Sequence, residues 1–141
     1  MSLATRARRA PGRIAAGSFI FHSGLTKFRG DEMFAQAVHG VFCNTYPAAK
    51  KVPPPVLLRT LAILEMTVGG LLLLPLIGAR FAGLALTGYS ATLLGMYVRT
   101  PGLHDERMLP TLAGAGFAKD VWLTAIGSSL VIDASTTGRK S

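Results

Sequence analysis

The stretch VLLRTLAILEMTVGGLLLLPLIG, residues 56–78, is the most hydrophobic part of this chain and gives the strongest indication of its fold. Only Arg59 and Glu65 are charged in a run long enough for a helix to cross a bilayer, which takes roughly 20 residues. Apolar side chains follow one another without a polar residue at every second position, so the pattern favours a membrane helix over a strand of a β-barrel. Pro75 predicts that this helix ends or kinks before a short turn at Gly78.

Further apolar segments on both sides extend this pattern to four predicted spans, at residues 11–28, 56–78, 79–98 and 117–134. The second and third segments meet the length requirement plainly. The first and fourth meet it if Lys27 and Lys119 extend their flexible stems to the membrane surface. Almost nothing joins the second segment to the third, which predicts an antiparallel hairpin. We expect one transmembrane domain over residues 1–141, an all-α integral membrane four-helix bundle with outer connections at 29–55 and 99–116.

The composition also points to a membrane protein. Half of the residues are hydrophobic and 16% are charged, against roughly 25% charged in a soluble domain. The net charge of +8 lies at the chain ends and beside apolar segments. Such charges are typical of membrane flanks that bind anionic headgroups, and they argue against nucleic acid as a partner. Cys43 is the single cysteine, so neither an intramolecular disulfide nor a CxxC dithiol site is expected.

The basic residues on the two sides of the predicted bundle nearly balance, seven against eight. The side that holds both termini carries Arg6, Arg8, Arg9, Arg13, Arg80, Arg139 and Lys140. Arg6, Arg8 and Arg9 form a dense cluster before the first span, while carboxylates gather in the connections on the opposite side. This distribution favours cytoplasmic termini.

The long connection at 29–55 contains an amphipathic segment, DEMFAQAVHGVF, residues 31–42. Its apolar side chains share one helical face: Phe34, Ala37, Val38, Val41 and Phe42. Asp31 precedes the segment as a candidate N-cap. We expect an interfacial helix that lies on the membrane with this face in lipid.

Ionisable side chains within the predicted spans are the candidates for chemistry, because each is costly in lipid. They are His22, Lys27, Glu65, Lys119 and Asp120. Glu65 lies roughly 13 Å along its helix, near the middle of the membrane, where a lone carboxylate needs a partner. His22 is the nearest match in depth, with Lys119 as a competing partner. The His22 and Glu65 pair has three interpretations: a buried link that fixes helix register, a proton-handling or quinone-headgroup site, or groups facing an aqueous crevice.

The remaining polar residues suggest packing or surface positions. Tyr89 and Ser90, in the third segment, are expected to hydrogen-bond within the bundle. His39 and His104 lie in the outer connections without metal-ligand spacing, so no metal site is predicted.

Four motifs, taken together, carry a family resemblance: RIAAGSFIFHSGLTKF (13–28), LEMTVGGLLLL (64–74), ARFAGLAL (79–86) and AKDVWL (118–123). In this order and spacing the chain resembles the DoxX family of small four-helix bacterial membrane proteins. The resemblance implies a location in the bacterial inner membrane and a link with membrane oxidoreductases. Relatives include subunits of quinone-reducing thiosulfate oxidation systems and partners of oxidative-stress enzymes. The absence of CxxC departs from relatives that handle thiols.

The leading hypothesis is therefore a small membrane subunit or anchor of an oxidoreductase complex, with other membrane redox proteins as partners. Quinone is the candidate cofactor, with His22 and Glu65 as the candidate contacts for its headgroup. The resemblance favours a non-catalytic subunit over an enzyme acting alone. The alternatives are a small transporter or lipid-handling protein and a purely structural assembly subunit.

Overall fold

A computed structural model describes residues 3–112 and 114–138. These residues form an all-α fold, as the apolar pattern predicts. The helices are α1 (Leu3–Phe28), α2 (Glu32–Thr45), a short 3₁₀ turn (Pro47–Lys51), α3 (Pro54–Leu73), α4 (Ala79–Arg99), α5 (Ala115–Ala118) and α6 (Asp120–Gly138). Arg139 and Lys140, counted above among the basic residues, lie outside the described residues.

Prolines set the ends of the central hairpin. Pro53 and Pro54 begin α3, where the missing backbone N–H costs nothing because the first turn has no acceptor for it. The helix ends at Leu73, just before Pro75, as predicted. Residues 74–78 then turn directly into α4, which runs antiparallel to α3.

α1 begins earlier than the apolar segment at 11–28 that predicts it, and continues through Pro11. The additional residues are basic, and they are supported by α6. The guanidinium groups of Arg8 and Arg9 both bind the carboxylate of Asp133 near the end of α6. Hydrophobic patterning misses this extension because it rests on an ion pair between distant parts of the chain.

The long helices pack as two close pairs, α1 with α3 and α4 with α6. Glycines bring the backbones of each pair into contact. A Cβ atom added at Gly69 would lie 2.7 Å from the Phe21 backbone nitrogen and 2.8 Å from the Gly17 carbonyl oxygen. In the other pair, a Cβ at Gly83 would lie 2.8 Å from the carbonyl oxygen of Gly127. Small residues therefore set the helix spacing, as is common in membrane bundles.

The two pairs meet in an apolar core that includes Ile20, Leu72, Leu86, Leu123 and Leu130. The other faces of the helices are apolar as well. α3 and α4 are long and apolar enough to cross a membrane, yet only 33% of the most apolar window of each is buried. The core helix of a soluble protein would hide most of such a stretch. The outward apolar faces of these helices suit contact with lipid.

Arg13 joins α1 to the end of α3 through hydrogen bonds from its guanidinium group to backbone carbonyls. Its Nε donates to the Leu72 carbonyl at 2.8 Å and its Nη1 to Ile77 at 3.0 Å. Its Nη2 donates to the carbonyls of Leu71 and Leu74, at 2.9 and 2.7 Å. The last carbonyls of a helix have no intrahelical partner and carry partial negative charge, so a buried guanidinium is well suited to cap them. Grouping Arg13 with the headgroup-binding flank charges was therefore wrong, since its side chain is buried against the chain itself.

α2 turns part of its apolar face into the bundle, whereas the sequence analysis predicts that this face meets lipid. Asp31 caps the helix as predicted, its carboxylate accepting from the Phe34 amide at 2.9 Å. The helix packs on α3 and α4, and it turns Val38, Val41 and Phe42 towards a cavity in the bundle. Ala37, which the sequence predicts on the same apolar face, is exposed. Amphipathicity alone cannot distinguish a face that meets lipid from one that covers a cavity.

Candidate functional site

A cavity of about 290 Å³ lies between α1, α2, α3, α4 and the α5–α6 junction. Aromatic and aliphatic side chains form most of its wall, among them Phe19, Phe34, Phe42, Leu61, Leu93 and Phe117. The polar side chains in the wall are Ser23, Lys27, Glu65, Tyr89, Lys119 and Asp120. A mainly apolar cavity with a few converging polar groups is the usual form of a small-molecule site.

Glu65 lies in the cavity wall with both carboxylate oxygens bonded. Lys27 Nζ approaches Oε2 at 2.9 Å, and the Tyr89 hydroxyl donates to Oε1. Lys27 Nζ also donates to Ser23 Oγ at 2.9 Å. The Glu65 side chain is 4% exposed and that of Lys27 is 20% exposed, so the pair is largely shielded from solvent. Three helices thus supply one connected polar cluster.

The prediction that Lys27 extends its stem to the membrane surface is therefore wrong. Its stem runs inward along α1 to Glu65. Residue 27 lies near the C-terminal end of α1, but the flexible side chain is long enough to reach a carboxylate deeper in the bundle. The free energy gained by pairing the buried Glu65 carboxylate exceeds the gain from hydrating the ammonium group at the interface.

The proposed pairing of His22 with Glu65 is wrong. His22 is exposed and borders a separate groove with Thr26, Arg29 and Asp31. Helix rotation explains this: residues 22 and 27 differ by roughly 140° around a helix axis, so they cannot both face α3. Matching residues by depth ignored that angle. His22 does not line the cavity that holds Glu65, and it is no longer a candidate for contact with a headgroup there.

Lys119 and Asp120 also line the cavity, from the point where α5 gives way to α6. The Lys119 ammonium lies over the Phe19 ring, 4.6 Å from its centroid, in a cation–π contact. Its carboxylate neighbour Asp120 is 1% exposed, and Lys27, Glu65 and Lys119 are all close enough to act on it electrostatically. Lys119, a rival partner for Glu65 in the sequence analysis, forms no hydrogen bond with that carboxylate, whose donors are Lys27 and Tyr89.

Asp120 differs from Glu65 in its hydrogen bonding. Its Oδ1 atom is buried and has no hydrogen-bond partner among residues 3–112 and 114–138. The backbone around it is well fixed, because Thr124 Oγ1 lies 2.8 Å from the Asp120 carbonyl oxygen and 2.9 Å from Ser90 Oγ on α4. An acceptor held in this way, without a donor, costs free energy. The Asp120 residue itself borders the cavity, which is large enough to hold a ligand.

Tyr89 is the site residue whose position the sequence analysis missed. It was expected to hydrogen-bond within the bundle, and it does, but its partner is Glu65 and it also lines the cavity. The spacing of residues along the α3–α4 hairpin could have predicted this pairing. Residues 65 and 89 are each 12 positions from Ile77 in the turn (77 − 65 = 12 and 89 − 77 = 12), so they lie at the same depth on adjacent helices.

The histidines of the outer connections form hydrogen bonds with nearby backbone carbonyl groups. His39 Nε2 lies 2.9 Å from the Val52 carbonyl and ties α2 to the start of α3. In the second connection, His104 Nδ1 lies 3.0 Å from the Asp105 carbonyl and Nε2 lies 3.2 Å from that of Val98. These carbonyl acceptors raise the pKa of His104, because only the imidazolium can donate from both ring nitrogens. Within the described ranges, no three His, Cys, Asp or Glu side chains are grouped so that they could hold a metal ion.

Comparison with protein-family models gives one finding. The model described as DoxX matches residues 9–98, which is more than half of the chain. The matched region contains Lys27, Glu65 and Tyr89, whereas Lys119 and Asp120 lie beyond it. No curated protein and no solved structure shows significant similarity to the chain.

Proposed function

The chain belongs to the DoxX family, and from that premise we propose that it is a small membrane subunit of an oxidoreductase complex that holds a quinone headgroup. The observation that carries the proposal is the apolar cavity whose wall contains the Lys27–Glu65–Tyr89 cluster. In this proposal the chain provides the quinone-binding surface, and a partner redox protein supplies the electrons.

The chemistry of the cavity suits such a headgroup. A quinone ring is flat and apolar and carries two carbonyl oxygens that accept hydrogen bonds. Aromatic walls at Phe19, Phe42 and Phe117 suit the ring, and the ammonium groups of Lys27 and Lys119 are donors for its oxygens. The volume of about 290 Å³ is close to the lower end of small-molecule sites, which is roughly 300 Å³. That is enough for a headgroup but not for a long tail.

A second, apolar groove offers a place for the tail. This groove, of about 300 Å³, lies between α1 and α6 and is bordered by Ala15, Ala16, Trp122 and Ile126. It shares Phe19, Lys119 and Leu123 with the cavity wall, so the two spaces adjoin. A molecule with a polar head and an apolar tail could then occupy both, with the tail directed towards lipid.

The two apolar helices and the family membership indicate a membrane protein. We propose further that four segments span the bacterial inner membrane and that both termini lie in the cytoplasm. The ion pairs from Arg8 and Arg9 to Asp133 support four spans, because they place the start of α1 beside the end of α6, as an even number of spans requires. Arg13, bonded to the end of α3, places the α3–α4 turn at the same end of the bundle.

The test measures quinone bound to the purified chain. The protein would be extracted in mild detergent from membranes of a quinone-producing bacterium, and its quinone quantified after solvent extraction. Mass spectrometry of the same preparation would identify co-purifying redox proteins. Val41→Phe, which fills the cavity from α2, should lower the quinone content at least about fivefold.

Val98→Phe is the matched control, because Val98 on α4 is 54% exposed and does not border the cavity. Its quinone content should equal that of the wild type. The proposal fails if the wild type carries no quinone, or if Val41→Phe and Val98→Phe carry equal amounts. Retention of phospholipid in place of quinone, lost in Val41→Phe, would instead favour a lipid-handling protein.

A further inference from the structure

The unsatisfied oxygen of Asp120 indicates which form of a ligand the cavity selects. The Asp120 side chain lines the cavity and is 1% exposed, and its Oδ1 has no donor among the residues that the structure describes. Glu65, in the same wall, has donors at both oxygens. The cavity therefore contains one carboxylate that is complete without a ligand and one that is not.

Charge in the cavity wall is balanced without a ligand. Lys27 and Lys119 supply two positive charges, and Glu65 and Asp120 supply two negative charges. An added ligand therefore need not be charged. What Asp120 lacks is a hydrogen-bond donor, since an ionised carboxylate can only accept.

The two redox forms of a quinone differ in whether they can donate a hydrogen bond. The oxidised form presents carbonyl oxygens, which only accept and would place their lone pairs against those of Asp120. The reduced hydroquinone carries two hydroxyl groups, each of which can donate. Resting on the proposed function, we infer that the cavity selects the hydroquinone over the quinone, with one hydroxyl donating to the Asp120 carboxylate.

The surroundings hold Asp120 in position for this role. Thr124 bonds both to the Asp120 carbonyl and to Ser90, which fixes the first turn of α6 against α4. Lys119, adjacent in sequence, lies over Phe19 on α1 and can donate to the oxygen of either redox form. Lys119 therefore contributes affinity without discrimination, whereas Asp120 discriminates between the two forms.

Selection of the reduced form has a measurable redox consequence. A ligand that binds tenfold more tightly when reduced has its two-electron potential raised by about 30 mV on binding. The bound couple then becomes a better oxidant than the same couple free in the membrane.

The experiment compares the two redox forms of one probe. The full chain in lipid nanodiscs would be equilibrated without oxygen with decylubiquinone or decylubiquinol, and the retained ligand quantified after rapid gel filtration. The wild type should hold decylubiquinol about tenfold more tightly, as expected for one hydrogen bond to a charged acceptor. Asp120→Asn presents an amide donor in a similar shape, so this preference should disappear or reverse.

Two controls keep the outcome clear. Asp31→Asn changes the same residue type at the N-cap of α2, outside the cavity, and Asn caps as well as Asp, so the preference should remain. Decylubiquinol with both hydroxyls methylated has no donors, so the wild type should hold it no better than decylubiquinone. This ligand-side comparison does not depend on how well Asp120→Asn folds.

The possible results separate the inference from the function on which it rests. Equal binding of both redox forms by the wild type would overturn the inference while leaving quinone binding intact. An undiminished preference in folded Asp120→Asn, or tight binding of the methylated probe, would do the same. Binding of neither form by the wild type would remove the proposed function, and the inference with it.

Discussion

Glu65 shows how a membrane helix accommodates a buried charge. α1 supplies the cation and α4 supplies a hydroxyl donor, so both oxygens of the carboxylate are bonded away from water. A charge of this kind is tolerated only while its partners remain in place. The cluster therefore connects α1, α3 and α4 at one depth, whether or not a ligand is bound.

Removing the Lys27 ammonium should be more damaging than removing the whole ion pair. Lys27→Met leaves the Glu65 carboxylate buried without a counter-ion, and the free energy of unfolding should fall by about 3 kcal/mol or more. In the double variant Lys27→Met/Glu65→Gln, the neutral amide still accepts from Tyr89, so most of that loss should be recovered. Thermal or denaturant unfolding in detergent would measure both.

Lys50→Met serves as the control, because Lys50 is exposed in the turn before α3 and should change stability by only a few tenths of a kcal/mol. Equal stability of Lys27→Met and the wild type would contradict the role assigned to the pair.

The need of Glu65 for a partner could be predicted from the sequence, but the identity of that partner could not. Position along an apolar run gives depth, and depth implies a cost for a lone carboxylate. Which side chain meets it depends on helix rotation and on the direction of a flexible stem, and these follow from packing. His22 was chosen by depth alone, whereas the structure brings Lys27 inward and leaves His22 exposed.

At the scale of helices, local signals predict boundaries well and placement poorly. Asp31, Pro54 and Pro75 mark helix ends because capping and the missing proline N–H act on neighbouring backbone. The placement of α2 depends instead on what lies beneath it. Its apolar residues suit lipid and a cavity equally, so the sequence did not predict its role as a cavity wall.

Two adjacent glycines in α3 offer a test of helix packing. An added Cβ at Gly69 would meet the α1 backbone at 2.7 Å, whereas at Gly70 it would meet nothing within 4 Å. Gly69→Ala should therefore force α1 and α3 apart and lower stability by about 1–3 kcal/mol. Gly70→Ala should leave it unchanged or raise it, since alanine is the better helix former.

Melting temperatures of the two variants in the same detergent give the comparison. The packing described for α1 and α3 would be refuted if both substitutions had the same effect.

The whole molecule consists of two antiparallel helix pairs joined by the short α3–α4 turn. Ion pairs and backbone caps gather at the end that holds this turn and both ends of the described chain. The cavity, the cover formed by α2 and the connection at 99–116 belong to the opposite half. The sequence predicted the helical content and the hairpin because both depend on local patterning. It could not predict the cavity, which five segments distant in sequence form together.

Single-cysteine labelling would test the proposed orientation. In a Cys43→Ala background, Ala7→Cys near the N-terminus and Leu112→Cys in the second connection each place one exposed thiol without altering charge. In intact cells with a permeabilised outer membrane, an impermeant maleimide should label Leu112→Cys only. Ala7→Cys should react after the inner membrane is opened. The reverse pattern would invert the proposed orientation.

The contacts of Arg13 also constrain how the protein is made. Its acceptors lie 58 to 64 residues further along the chain, so none of them exists when α1 leaves the ribosome. Until residues 71–77 have been synthesised, the guanidinium has none of these four acceptors. The contacts that bury this guanidinium against the α3–α4 turn therefore form late. The packing of α1, which is made first, is thus completed by a turn that is made much later.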